Sequence, residues 1–291
     1  MTASSADTRR AVAEVIDPIP VTEGAGVRLL RSIATERLDH VDPFLLFDHF
    51  GSDDPGDYLA GFPFHPHRGI ETVTYMLDGQ VSHRDSLGNS GTIGPGDVQW
   101  MTAGSGILHE EMPKAGPRRL AGFQVWVNLP AKLKMSRPRY QGVPAARIPE
   151  VKRPDGVRIR VVAGEVDGVK GAVGEIYAEP EYLDVSMPPG CTFEQPVPRG
   201  HTALAYSFEG QGLFGTGADG QGRPVAATRL VLFGDGDRVG VRTGASPARF
   251  LLLSGRPLGE PVARYGPFVM NTRDEIMQAL RELREGTFIR G

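Results

Sequence analysis

Two short runs of the chain carry side chains at metal-ligand spacing. Residues 61–71 read GFPFHPHRGIE and place His65 and His67 one residue apart, and residues 104–112 read GSGILHEEM and place His109 and Glu111 at the same spacing. On an extended strand, side chains two apart point to one side about 6–7 Å from each other, so each pair can converge on one ion. If the two runs are neighbouring strands, they assemble three imidazoles and one carboxylate, with Glu110 turned the other way. That set suits a divalent first-row metal, which takes nitrogen from neutral histidines and has half its charge cancelled by one glutamate. Four protein ligands on a six-coordinate ion leave two positions open, as a reactive centre requires. The competing readings are a solvated histidine pair in a proline-rich turn at 65 and 67, and an exposed charged patch at HEE.

The other histidines lack such companions. His201 has no H-x-H or H-x-E neighbour and reads as a lone polar residue, and His83 in SHRDSLGNSG reads as a solvated loop residue. His40 and His49 flank DPFLLFDHF with no ligand spacing. Trp100 and Trp126 sit in strand-like runs, where core packing is the default and lining a metal pocket the alternative for one of them. Residues 210–215 spell G-x-G-x-x-G, but a turn and a strand follow where a phosphate-binding loop needs a helix, so the stretch reads as a hairpin.

The elements that must position these residues are mostly strands. Between residues 41 and 127, PFLLFDHF, ETVTYML, GTIG, PGDVQWM and FQVWVNLP alternate with turn signals such as GSDDPGD and DGQ. Short strands with a turn every ten residues or so predict a sandwich or barrel. EYLDVSMPPG, TALAYSFEG, RLVLFGDGD and RFLLLSG continue the pattern in the second half. The halves resemble each other: YMLDGQ at 75–80 matches YSFEGQ at 206–211, a shift of 131, and Gly96-Asp97 matches Gly236-Asp237, a shift of 140. These matches predict a duplicated β-domain. Carried across by those shifts, His65 and His67 meet Pro196 and Pro198, and His109 and Glu111 meet Arg249 and Leu251, so the second domain is expected to hold no metal. Pro130 to Pro149 is proline-rich and marks a linker, giving domains over 1–132 and 150–291 with a linker over 133–149. Near the end, Thr272 and Glu275 have capping-box spacing, and Ile276, Leu280 and Leu283 share one face of a closing helix.

Composition narrows the function classes. A chain of 291 residues fits two domains, and 38 glycines with 24 prolines and no repeat period fit many tight turns. A net charge of −3 offers phosphate backbones no general attraction, which disfavours direct nucleic-acid binding. A single cysteine, Cys191, excludes an intrachain disulfide and thiolate metal clusters and fits a reducing compartment. MTASSADTRRAVAEVIDPIP has no apolar signal region, and no window approaches the 18 or so apolar residues of a membrane span, so a cytoplasmic protein is expected. Residues 1 to about 10 are polar enough to be disordered, and two fused barrels covering each other's faces make a monomer the default.

FHPHRGIETVTYMLDG, PGDVQWMTAGSGILHEEMP and FQVWVNLP resemble the pirin family of the cupin superfamily, and the likeness runs from DPFLLFDHF to the closing helix. The resemblance implies an all-β bicupin: two tandem jelly-roll barrels with a short C-terminal helix. It implies a metal, usually taken as iron, on His65, His67, His109 and Glu111 of the first barrel, and a metal-free second barrel. Glu71 stays open: the glutamate after H-x-H is a ligand in many cupins but is not among the usual ligands of pirin-like proteins, and the alternative here is an outer partner of the site or an ion-pair residue. In function, the resemblance implies an Fe2+-dependent quercetin 2,3-dioxygenase that cleaves a flavonol with O2, with Glu111 as general base and the histidines as anchors. The alternative from another class is a non-enzymatic regulator whose iron redox state alters a surface read by a transcriptional or metabolic partner protein. A bicupin with an adventitious metal is the third.

Overall fold

The computed structural model describes residues 8–116, 119–217 and 220–290. Residues 1–7 of the stretch expected to be disordered lie outside them. Residues 8–10 are tied down: the Thr8 amide and hydroxyl donate to Asp237, and the buried Arg10 donates to the Pro198, His201 and Gly234 carbonyls.

The chain divides into two compact units, residues 1–18 with 148–257 and residues 19–147 with 258–291. Strand β1 (Val12–Ile16) belongs to the first of these. The other contains β2 (Ile19–Glu23), β3 (Val27–Ile33), β4 (Phe44–Ser52), β5 (Phe62–His67), β6 (Ile70–Asp78), β7 (Val81–Asp85), β8 (Ser90–Ile93), β9 (Val98–Thr102), β10 (Ile107–Pro113), β11 (Leu120–Asn128) and β12 (Arg139–Val143). Seven of these strands form a sheet in the order β12-β9-β6-β11-β4-β3-β2, and four form a second sheet in the order β5-β10-β7-β8. The predicted runs PFLLFDHF, ETVTYML, VQWM and FQVWVN are β4, β6, β9 and β11, the middle of the larger sheet. Val27 and Met76 of one sheet join Val81 and Ile93 of the other in a shared apolar cluster. Between β5 and β6 the chain turns at Gly69, whose φ is +80° and where a Cβ would come within 2.0 Å of the Val269 carbonyl oxygen, so only glycine fits.

The remaining unit carries β13 (Glu150–Lys152), β14 (Arg158–Ala163), β15 (Glu165–Val166), β16 (Val169–Lys170), β17 (Glu181–Met187), β18 (Thr192–Pro196), β19 (Thr202–Phe214), β20 (Arg223–Ala226), β21 (Arg229–Phe233), β22 (Arg238–Arg242) and β23 (Ala248–Gly255). Its main path runs β1-β21-β19-β23-β17-β14-β13, with β18 pairing β22. Position by position this repeats the first sheet. Tyr75 on β6 and Tyr206 on β19 occupy the same central strand, as the shift of 131 predicts. The shift of 140 is a coincidence of turn chemistry, because Asp97 precedes β9 whereas Asp237 follows β21, the strand in β9's place. Arg249 and Leu251 therefore sit on β23, and the strands that take the places of β5 and β10 are β18 and β22. Those carry Phe193, Val239 and Val241, which with Phe214 and Phe250 fill a continuous apolar core. G-x-G-x-x-G falls at the end of β19, which returns through β20 as the predicted hairpin.

The expected boundaries shift at both ends. β1 occupies in its sheet the edge position that β12 holds in the other, so the opening residues join the later unit. The expected linker is partly structural, since β12 pairs with β9 through Gln141 and Trp100. The closing segment, placed by sequence with the second domain, belongs to the unit of residues 19–147. It contains β24 (Ala263–Tyr265), β25 (Phe268–Met270) and helix α1 (Arg273–Glu285). The helix starts at the predicted capping box of Thr272 and Glu275 and ends at Gly286, with φ +71°. Ile276, Leu280 and Leu283 pack with Phe268 and Phe288. Among the described residues, no helix is long and apolar enough to cross a membrane.

Candidate metal centre

β5 and β10 are adjacent antiparallel strands with His109 directly opposite His65 and Ile107 opposite His67. This pairing brings the two sequence motifs together. The His65 ring lies 4.3 Å from that of His109 and 4.9 Å from that of His67, and the His67 and His109 rings are 5.0 Å apart. One ring nitrogen from each of the three lies within 4.8 Å of the others. His67 and His109 are buried, and Nδ1 of His67 and both ring nitrogens of His109 have no hydrogen-bond partner among the described residues. Buried imidazole nitrogens without partners are costly, and converging ones are what a metal ion satisfies. Burial, reinforced by the neighbouring imidazoles, lowers the pKa of both well below the usual histidine value, so each keeps a lone pair for coordination. The donor set fits a divalent metal.

Glu111 stands beside the triad. A β-bulge between His109 and Glu111 sets Glu111 opposite Phe62 rather than in simple alternation. Its Oε1 accepts from Thr74 Oγ1 at 2.9 Å and from Gln99 Nε2 at 3.2 Å. Those two donors belong to a polar row that no sequence motif marks. Gln99 on β9, Thr74 on β6, Gln124 on β11, Asp48 on β4 and Arg31 on β3 are successive cross-strand partners. Directly opposed residues share a face, so this row crosses five strands on one side of the sheet. Arg31 closes it with paired bonds of 2.8 and 2.7 Å to Asp48 and a third to Glu23.

Asp48, Thr74, Gln124, Glu111, His65 and His67 line a cavity of about 80 Å³ whose other walls are apolar, among them Leu46, Phe50 and Leu120. His65, His67, Phe62 and Trp126 also line an outer pocket of about 500 Å³, together with Phe64 and Arg264. The Arg264 guanidinium sits 4.9 Å over the Trp126 ring and donates to the Leu45 carbonyl at 3.2 Å. The histidines thus form part of the wall between a small inner cavity and a larger outer one. The inner one has room for several waters at roughly 10–15 Å³ each, and only the outer one reaches the size of an aromatic ligand.

Of the other sequence candidates, His83 and Trp126 lie beside the triad, their rings 5.5 Å from that of His109 and 5.1 Å from that of His67. Glu71 is three residues from Thr74 on β6 and so faces the opposite side of the sheet, where its Oε1 accepts from Thr102 at 2.7 Å. His83, expected in a solvated loop, is instead buried in β7, stacked 4.8 Å from Tyr140 and 3.2 Å from the Asp85 carboxylate. The Asp-Gly turn before it leads straight into a strand, which the polar residues around it hid. His40 contacts Asp39 near the surface, and His49 packs 4.9 Å from Phe123 with its pKa pushed down to about 4 by burial and Arg119. His201 lies 3.9 Å from Glu179. Trp100 is core, and Trp126 is the tryptophan that lines the pocket.

Residues 26–127 match the Pirin family, and residues 182–289 match the Pirin C-terminal cupin domain. A pirin-like protein of Caulobacter vibrioides is 45% identical over 280 residues, covering 96% of this chain and 99% of that one. The chain belongs to the pirin family. Human Pirin is 43% identical over 268 residues, 90% of this chain and 88% of its own. Among solved structures, a quercetin 2,3-dioxygenase from Acinetobacter baumannii aligns with a TM-score of 0.86 at 33% identity, over 97% of this chain and 99% of that one. The two repeated sheets are accordingly the tandem cupin domains of a pirin, and the histidine triad lies in the first.

Proposed function

We propose that this pirin-family protein is a metal-dependent oxygenase of the quercetin 2,3-dioxygenase type, acting on a flavonol or a similar hydroxylated aromatic, with Fe2+ as its metal. The observation that carries the reading is the convergence of His65, His67 and His109 where the inner cavity meets an aromatic-lined outer pocket. The likeness to a quercetin 2,3-dioxygenase over nearly the whole chain supports it. His65, His67 and His109 would hold the metal through neutral ring nitrogens, with Glu111 as the fourth protein group. Bound there, a divalent iron supplies Lewis acidity and redox chemistry toward O2. Phe62, Phe64 and Trp126 offer flat apolar surface to the substrate rings and exclude water from them. Glu111, which lines the inner cavity beside the histidines, would take the proton of a substrate hydroxyl brought to the metal.

Protein loaded anaerobically with Fe2+ is expected to consume quercetin and oxygen together, faster than free iron does, and to release carbon monoxide. His67→Ala should lose most of the bound iron and the turnover with it. Iron retained at His67 without flavonol turnover in the wild type would overturn the oxygenase reading in favour of a regulatory one.

A further inference from the structure

We propose that Thr74 is the positioning residue for Glu111, and that Gln99, Thr74 and Gln124 form a one-way hydrogen-bond row that presents a single carboxylate oxygen to the metal centre. In its consequence for the metal the inference rests on the reading above; the bonds themselves do not. Thr74 Oγ1 lies 2.9 Å from Glu111 Oε1 and 2.7 Å from the side-chain amide of Gln124. A hydroxyl has one proton to donate, so one of these contacts must be a bond that Thr74 accepts. A glutamate carboxylate oxygen only accepts, so Gln99, 3.2 Å away, turns its Nε2 to the same Glu111 oxygen. The Thr74 proton therefore points to Glu111, and Gln124 must turn its NH2 end to Thr74, because the two ends of a glutamine amide are nearly equal in shape and the network alone orients them.

The row is directional from Gln124 through Thr74 to Glu111, with Gln99 arriving from the other side. Register makes it so: Gln99, Thr74 and Gln124 are direct partners on three adjacent strands, and Glu111 reaches them from the other sheet. Both hydrogen bonds to the carboxylate end on Oε1. That leaves Oε2 as the oxygen available to the histidine triad and to a substrate proton. Thr74 and Glu111 are both buried, so the carboxylate cannot exchange this support for bulk water.

The test compares Thr74→Val, which keeps the shape and removes the hydroxyl, with Thr74→Ser, which restores it. In metal-free protein, the Gln124 side-chain NH2 resonances should move in the valine variant and return in the serine variant. With cobalt(II) as the probe, the valine variant should show altered visible d–d bands and about ten-fold weaker binding in chelator competition, the scale of effect for a group that orients a ligand. The serine variant should match the wild type. Unmoved Gln124 resonances overturn the direction of the row, and a wild-type cobalt spectrum and affinity in Thr74→Val overturn its positioning role. Should the valine variant fail to fold, Gln124→Met removes the half-buried donor at the cavity wall and should shift the same cobalt bands; unshifted bands overturn the proposal. His67→Ala keeps the two failures apart. Cobalt bound there as in wild type overturns the metal-centre reading, while the metal-free resonances still judge the row.

Discussion

His65, His67 and His109 on one side and Glu111 on the other differ in what surrounds them. Nδ1 of His67 and both ring nitrogens of His109 lack hydrogen-bond partners among the described residues, whereas the carboxylate is held by Thr74 and Gln99. Groups left without partners by their own fold suit a fixed anchoring role, and a group with one oxygen bonded and one available suits proton transfer. Glu111→Gln keeps the triad and the Thr74 contact and removes the base. It should therefore weaken metal binding at least about ten-fold, and at saturating metal, where the triad still holds the ion, lower flavonol turnover per bound metal at least about 100-fold, the usual lower limit for a general base. Metal analysis paired with oxygen uptake measures both, and full turnover in the variant would remove Glu111 from the chemistry. At this scale the sequence was informative for the triad, because H-x-H and H-x-E spacing is local. It could not reveal Thr74, Gln99 or Gln124, which are ordinary polar residues until register aligns them. It favoured Glu111 by spacing but left Glu71 open, since which face of a strand points inward depends on what packs there.

Among the elements, one buried lysine helps join the closing segment to the unit that carries the histidine triad. Lys134 Nζ donates to the Gly69 carbonyl at 2.9 Å, the Asn128 side chain at 2.6 Å and the Val269 carbonyl at 3.0 Å. An ammonium has three protons, and all three are used. The three acceptors lie beside β6, at the end of β11 and in β25, so the lysine ties the segment that follows His67 to the returning chain. Burial lowers its pKa to about 8, yet it remains largely charged at neutral pH. Lys134→Met leaves three buried acceptors unpaired and should destabilise this unit by at least about 3 kcal/mol. Urea unfolding followed by Trp fluorescence reads the loss, and an unchanged midpoint would show that water replaces the lysine. Most strands were legible from apolar alternation and turns, and the helix from its cap. The linker was misjudged because prolines mark irregular backbone without saying that the backbone is exposed; β12 and Lys134 both lie within it.

Across the whole molecule, two copies of one sheet have diverged in what fills them. One keeps the polar row and the histidines around a cavity, and the other packs Phe193, Phe214, Phe250 and valines into a continuous core. Among its described residues, the filled copy still buries two acids, Asp184, paired with Arg249, and Glu181. Burial pushes the Glu181 carboxyl up to about 8, although Gln195 at 2.7 Å and Ser254 at 3.4 Å donate to it. An exposed glutamate in the unfolded chain titrates near 4.3, so between about pH 4 and 8 the unfolded state has released a proton that the folded state retains. Stability from this group is complete below about pH 4, falls as pH rises, and is gone above about pH 8. Glu181→Gln keeps a hydrogen-bonding side chain without the titration, so its melting temperature should gain on that of the wild type by a few degrees from pH 5 to pH 8. A constant difference across that range would place the titration elsewhere. The sequence by itself determined the strand-rich duplicated architecture, the capped helix and the three histidines, because each depends on residues near one another in the chain. Only the tertiary structure decided that the opening strand and the closing helix each join the more distant half, and that Glu111 is held by a row of residues from three strands. Those outcomes depend on edge pairing and cross-strand register, which are set by which surfaces are buried together and leave no local pattern.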